Sequence, residues 1–325
     1  IKPHAVHTYD LMALLFARRA LAGFICRLIH TKCGGPPLRE YYGNLEKMVV
    51  FSREDEEFLK ANKANKIGSI VRIENRIGEV TIDRQAIDRI KQQYYVGDLT
   101  VLRVVRICEA YKKSIISSAR LVRLINKMGR ETKLIVVGAI QDSTVYEELR
   151  SKLKDVIWLT DSSYTKQSSR LIDIADIVVG NGRSYMEAAV LGKFTMLHSD
   201  KAEFPVPILK HNFEEAFSAN FSPRYNPRKG EAWTAKTKES TIHEALSKGT
   251  VMPMQEIAKK RFLVHYALSK YDSIYRINPV RISANYLTQY LDTFRIKRYY
   301  NKTKANVLVK YLKMLVIRFN ELIDG

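Results

Sequence analysis

Two runs of unbroken apolar residues, within KLIVVG at 133–138 and DIVVG at 176–180, constrain this chain more than any other feature. A strand with one face in water alternates apolar and polar positions. A run that is apolar throughout belongs to a strand covered on both faces, as in a parallel sheet packed between helices. Segments of the same length lie on either side, at 100–106 (TVLRVVR), 155–159 (DVIWL) and 193–197 (KFTML). The stretches between them, 113–128, 143–153, 166–174 and 183–191, have helical spacing. Strand and helix in alternation predict an α/β layer with a mostly parallel sheet.

The first hundred residues repeat the pattern less cleanly. Short apolar runs fall at 5–9 (AVHTY), 23–30 (GFICRLIH), 47–51 (KMVVF) and 67–73, with helical spacing at 11–21 and again at 53–62. The second of these helices begins after a capping Ser52 and carries acids in its first turn. Residues 74–98 turn polar and charged and end at Gly97-Asp98, which reads as a link between domains. The expected organisation is therefore 1–98, 99–250 and a helical, basic region at 251–325. Pro205, Pro207, Pro223 and Pro227 mark loops, helices resume at 236–248 and 254–269, and a Tyr-rich helical tail runs from 285 to 323.

Composition removes several classes. An apolar content of 46% excludes a chain disordered throughout. Three cysteines, Cys26, Cys33 and Cys108, are too few for a disulfide framework and are not spaced as zinc ligands, so a reducing, cytosolic setting is expected. The stretch from Leu11 to Ile29 is interrupted by Arg18, Arg19 and Arg27 and does not make a membrane span. No leader with a cleavage site is legible. With 54 Lys and Arg against 34 Asp and Glu the formal net charge is +20. Such a charge calls for nucleic acid, anionic lipid or a phosphorylated substrate as partner. Residues 259–325 hold 14 basic and four acidic side chains, about half of the surplus.

The sharpest local signal is ADIVVGNGRSYMEAAVLGK at 175–193. A strand ends at Gly180, a turn carries Asn181-Gly182-Arg183-Ser184, and a helix follows with Glu187 expected in its first turn. Gly182 permits close approach of a ligand, and the free amides of the helix start favour an anion. Ser184 can cap the helix or bind phosphate, and Arg183 adds charge. Glu187 stands where a carboxylate can accept from two ribose hydroxyls. The plain alternative is an ordinary strand-to-helix turn with Glu187 complementing the helix dipole.

This segment resembles the donor-nucleotide motif of GT-B glycosyltransferases, in particular the large retaining family four. LIVVG at 134–138 is similar to that family's second conserved block. VVRICEAYKK at 104–113 resembles the block in which an arginine and a lysine grip the donor diphosphate. TKCGGP at 31–36 with VVFSREDEEFL at 49–59 is similar to the N-terminal half of members that assemble bacterial polysaccharides. The resemblance spans about residues 2–200. It implies two Rossmann-like domains facing a cleft, the N-terminal one lacking its first strands because Ile1-Lys2-Pro3-His4 matches a strand well inside that domain. It implies that Arg106 and Lys112 neutralise the diphosphate, with Lys113 competing for the second role. Gly138, Gly182, Arg183 and Ser184 would cradle the donor, Glu187 would hold the ribose, and Gly34 and Gly35 would approach the phosphates. For Arg106 and Lys112 the alternative is a solvated basic helix start.

The chain departs from the family twice. Val179 stands eight positions before Glu187, where many members carry a first glutamate, and Lys32 and Cys33 stand where many have a histidine. No catalytic residue is identified. His7 reads as structural, His30 as a core or surface residue, and His4, His198, His211, His243 and His265 form no spaced cluster, so no metal is expected. Cys33 beside two glycines suggests a nucleophile only if a base stands near it. The tail is either a solvated helical face or a membrane-facing patch, with LVKYLKMLVIRF at 308–319 mixing apolar and cationic positions.

The implied function is transfer of a sugar from a UDP- or GDP-sugar to a cell-surface glycan or lipid-linked acceptor. Retention of configuration, no metal and no cofactor are expected. The enzyme would be cytoplasmic, peripheral on the inner face of the cytoplasmic membrane. A GT-B epimerase or phosphorylase would need catalytic groups that are not legible here. A basic protein that binds nucleic acid or membrane without catalysis is the non-enzymatic alternative. For nucleic acid it would need a recognisable module with aromatics among its cations, and the Tyr-rich tail matches none.

Overall fold

The computed structural model describes residues 3–35, 42, 45–61, 67–276 and 280–282. Two compact units emerge, one of Ile1–Arg72 with Asp272–Gly325, the other of Ile73–Tyr271.

In the first unit β1 (Ala5–Thr8), β2 (Ile25–Lys32), β3 (Leu45–Val50) and β4 (Ile67–Arg72) pair in that order, all parallel. Two helices make the crossovers, α1 (Leu11–Ala20) and α2 (Arg53–Ala61). Each starts where a side chain takes up free amides. Asp10 accepts from Ala13 N at 2.8 Å, and Ser52 accepts from Asp55 N at 3.1 Å while donating to the Asp55 carboxylate at 2.9 Å. Leu11, Leu14, Cys26, Leu28, Met48, Val50 and Leu59 form the core.

The second unit opens with α3 (Arg84–Gln93) and continues as β5 (Leu99–Val104), α4 (Glu109–Lys127), β6 (Thr132–Val137), α5 (Ser143–Lys152) and β7 (Val156–Leu159). A short α6 (Ser162–Thr165) and a 3₁₀ turn (Ser168–Ile174) lead to β8 (Ile177–Gly180), α7 (Arg183–Val190) and β9 (Phe194–Leu197). Then come β10 (Val206–Pro207), α8 (Phe213–Ser218), α9 (Glu239–Ala245), α10 (Lys248–Phe262) and α11 (Leu268–Tyr275). The last described strand, β11 (Val280–Arg281), belongs to the first unit and pairs antiparallel with β2 there.

Strand order in the second sheet is β10-β9-β8-β5-β6-β7, parallel except for β10. The chain builds outward from β5 through β6 to β7, then returns to lay β8 on the other side of β5. Between β5 and β8 the connections diverge to opposite faces, which leaves a crevice at the carboxyl ends of these two strands. The unbroken apolar runs are the inner strands, as their composition required: Leu134–Val137 and Ile177–Val179 are all buried.

Three sequence expectations change. Residues 74–98 are not merely a link, and the boundary between units falls after Arg72 instead of at 98. Ala86, Ile87 and Ile90 lie at helical spacing and bury against Leu102, Ile135 and Ile157, so α3 covers the second sheet despite its polar composition. Second, where the spacing predicts an α-helix at 166–174, Ser168–Ile174 is a 3₁₀ turn. Third, α8 forms among the prolines, where Phe213 and Phe217 join an aromatic cluster with Tyr185, Phe221 and Phe262. The tail at 285–323 lies outside the described residues.

Gly138, expected at the donor site, is fixed by packing. A Cβ there would sit 1.6 Å from the Val105 carbonyl oxygen, so the loop after β6 passes directly over the loop after β5. Gly138→Ala is expected to destabilise by roughly 3 kcal/mol or more, since backbone must move to admit the methyl group. Gly78→Ala, with open space at its Cβ, serves as the control. Urea midpoints of the two variants against wild type give the comparison.

Candidate functional site

Arg103, on β5 one residue before its end, is only 1% exposed. Its guanidinium donates to Val179 O on β8 at 2.8 Å, to Asn181 Oδ1 at 2.9 Å and to Ser114 Oγ on α4 at 3.1 and 3.3 Å. It makes no ion pair among the described residues, and burial lowers its pKa to about 10. Asn181 passes the constraint on. Its Nδ2 donates to His198 O at 2.9 Å and more weakly to Phe221 O at 3.5 Å. Gly182 N donates to the same Phe221 carbonyl at 2.8 Å. Asn220 and Phe221 both have positive φ, 53° and 48°, a conformation that costs energy for residues with a side chain. The turn after β8 is thus held from three directions.

His198 follows β9 and is 6% exposed. The Ser117 hydroxyl lies 3.0 Å from both Ser114 O and His198 Nδ1. His198 Nε2 lies 3.6 Å from the Asp200 carboxylate. Burial, and then the charge of Arg103, pull the imidazole down to about 4, so it is neutral at neutral pH.

Helix α7 begins at Arg183 with Gly182 as its cap at φ +51°. The Ser184 hydroxyl is spent within the turn, donating to Asn181 O at 3.1 Å and accepting from Asn181 N at 3.2 Å. The amides of Arg183, Ser184 and Tyr185 have no acceptor among the described residues, which gives the helix start its affinity for an anion. Glu187 is the fifth helical residue, at the start of the second turn instead of in the first. It is 6% exposed and pairs through Oε1 with Arg183 Nε at 2.7 Å. Its Oε2 has no hydrogen bond among the described residues.

Arg106 sits past the end of β5, exposed, with Nη2 donating to Tyr111 OH at 3.0 Å. Lys112 and Lys113 point to different places, because neighbouring helical residues lie about 100° apart. The Lys112 ammonium is engaged by Glu148 of α5 at 2.5 Å and Glu109 at 3.7 Å. Lys113 makes no ion pair among the described residues, and its charge reaches His198. An open cavity of about 580 Å³ along β7, lined by Tyr94, Tyr95, Lys133, Tyr146 and Trp158, holds none of these residues.

In the first unit, Gly34 and Gly35 follow β2 with φ of +89° and +83°. Lys32, 4% exposed, donates to Gly34 O at 2.9 Å and pairs with buried Asp55 at 2.8 Å, closing the glycine turn onto the start of α2. His7 bridges Thr31 Oγ1 and Tyr275 OH, each at 2.7 Å. His30 meets Thr8 Oγ1 at 2.9 Å and is pulled to about 4, chiefly by burial. Burial raises the Cys33 thiol, the opposite of an activated nucleophile. Among the described residues no group of three His, Cys, Asp or Glu is placed to hold a metal, and no helix is long and apolar enough to cross a membrane.

No protein-family model and no curated protein matches the sequence. Solved structures do. Sucrose-phosphate synthase from Thermosynechococcus elongatus is 13% identical with a TM-score of 0.57, over 84% of this chain and 73% of that one. Trehalose-6-phosphate synthase OtsA is 12% identical at 0.54, over 85% and 72%. The E. coli trehalose-6-phosphate structure bound with UDP-2-fluoro glucose is 12% identical at 0.53, over 85% and 74%. The chain has the GT-B fold. At this identity the likeness is one of architecture, two Rossmann-like units each with a parallel sheet.

Sequence reading placed Gly182, Arg183 and Ser184 in the turn after the strand, where they stand, and Glu187 in the first helical turn, whereas it opens the second. It passed over Arg103, Asn181 and His198. The signal available was an arginine inside an otherwise apolar strand, three residues before the arginine that was chosen.

Both units contain a buried histidine that titrates near 4, against about 6.5 unfolded. Below pH 6.5 the unfolded chain binds more protons than the folded one, so stability falls as pH drops from about 6.5 to 4. Each histidine contributes up to about 1.4 kcal/mol per pH unit in that window and nothing above it. Urea denaturation at pH 7.5, 6, 5 and 4.5 is expected to show this fall, and His198→Gln to reduce it by about half, the His30 share remaining. A wild-type stability independent of pH over that range rules the assignment out.

Proposed function

We propose that this protein is a glycosyltransferase whose donor, a UDP- or GDP-sugar, binds the second unit in the crevice between β5 and β8. The observation that carries the reading is the set of groups at that crevice. Among the described residues three unpaired amides begin α7, the cations of Arg106 and Lys113 stand free of carboxylates, and the buried Glu187 keeps one oxygen without a partner. The first two suit a diphosphate and the third a ribose diol. A GT-B neighbour bound with UDP-2-fluoro glucose supports this choice of ligand class.

In this reading the diphosphate lies against the α7 amides, with Lys113 and Arg106 on its oxygens. Negative charge grows on the diphosphate as the sugar leaves, and fixed cations there lower the barrier without a proton transfer to the leaving group. Transfer with retention, and without metal or cofactor, is the mode implied by the family-four resemblance. The acceptor is a cell-surface glycan or its lipid-linked precursor. A cytoplasmic enzyme at the inner face of the membrane suits such an acceptor, with the basic tail at 285–325 as its contact. Flotation with anionic vesicles is expected to fall steeply as salt rises, at about 1 kcal/mol per engaged Lys or Arg. Deleting 285–325 should abolish it, and equal flotation without the tail refutes the contact.

A thermal-shift screen with UDP, GDP, ADP and their sugars tests the donor class. A ligand at 100 times its dissociation constant stabilises by about 2.7 kcal/mol. Glu187→Ala is expected to cut nucleotide affinity at least tenfold, from the loss of hydrogen bonds worth roughly 1.5–3 kcal/mol. Lys113→Ala should weaken UDP or GDP far more than the parent nucleoside. Lys112→Ala should not, because its charge is already neutralised by Glu148. Calorimetry on the three folded variants separates these outcomes. If no nucleoside diphosphate binds wild type, the reading is wrong.

A further inference from the structure

Among the described residues the largest fully buried side chain is a cation, Arg103, and its partners there are all neutral: a carbonyl, an amide and a hydroxyl. A guanidinium withdrawn from water is costly unless an anion or well-aimed dipoles replace the solvent. Here dipoles satisfy its hydrogen bonds, yet the net charge stays uncancelled at the divergence of β5 and β8. That charge is held directly beneath the turn from Asn181 to Ser184, where the free amides of α7 begin. The same guanidinium orients Asn181, whose amide then fixes His198 O and the strained Phe221.

We infer that Arg103 is a positioning residue of the donor site and its fixed counter-charge, so that an anionic diphosphate completes a charge that the fold leaves open. The inference rests on the donor site proposed above. It differs from the roles of Arg106 and Lys113, which reach the ligand from solvent. Arg103 never touches the donor; it acts through Asn181 and through its field. A buried charge is screened less by salt than an exposed one. Its contribution therefore persists at ionic strengths where those of Arg106 and Lys113 shrink.

The test compares UDP with uridine by calorimetry at low and high salt. Arg103→Met removes the charge at similar volume and is expected to lower UDP affinity about tenfold or more, with uridine nearly unchanged. Arg103→Lys keeps the charge and should recover much of the loss. If Arg103→Met fails to fold, Ser114→Asp gives the guanidinium an internal carboxylate and should produce the same UDP-specific loss in a protein that retains Arg103. The loss in either variant should be as large at high salt as at low salt, whereas that of Lys113→Ala should diminish. Equal losses for UDP and uridine, or wild-type UDP binding in a folded Arg103→Met or Ser114→Asp, overturn the inference. Wild type that binds no nucleoside diphosphate instead overturns the donor site itself.

Discussion

The second unit is organised around a hydrogen-bonded guanidinium at the centre of its sheet. Arg103 joins the carboxyl end of β5 to that of β8 through Val179 O, and to the first turns of α4 through Ser114. Asn181 carries the same constraint to β9 and to the Phe221 turn. Removing such a group would leave several buried polar atoms without partners, each of which costs about 1–3 kcal/mol. Five segments share this one junction, and the turn that presents the free amides of α7 is one of them.

Close backbone approaches then decide which residues can stand around it. A Cβ on Gly180 would lie 2.6 Å from Tyr185 N, so the strand end and the start of α7 are in contact. Gly138 does the same for the loops after β5 and β6. Below the turn, Tyr185 stacks on Phe221 at 4.1 Å, within the aromatic cluster of Phe213, Phe217 and Phe262. Burial of these rings offsets the cost of the two positive-φ residues at 220 and 221. The strain and the packing belong to one device.

The first unit solves the corresponding problem differently. Its buried cation, Lys32, has a carboxylate at 2.8 Å, and the pair is spent on closing the Gly34–Gly35 turn. Charge there is internally cancelled, whereas at Arg103 it is not.

Sequence by itself determined the α/β class, the inner strands, the caps at Ser52 and the glycine turn at 182, because all of these follow from local periodicity and backbone sterics. The fourfold alternation of strand and helix also left few topologies for the sheets. Only the tertiary structure decided three matters. It placed α3 on the second sheet, since Ala86, Ile87 and Ile90 needed a partner that composition did not reveal. It separated Lys112 from Lys113, since one helical residue of rotation sends the first to Glu148 and leaves the second without an ion pair among the described residues. And it joined Arg103 to Asn181 and Ser114, since hydrogen bonds across 78 and 11 positions of sequence have no local signature: they exist only once β5 and β8 lie side by side.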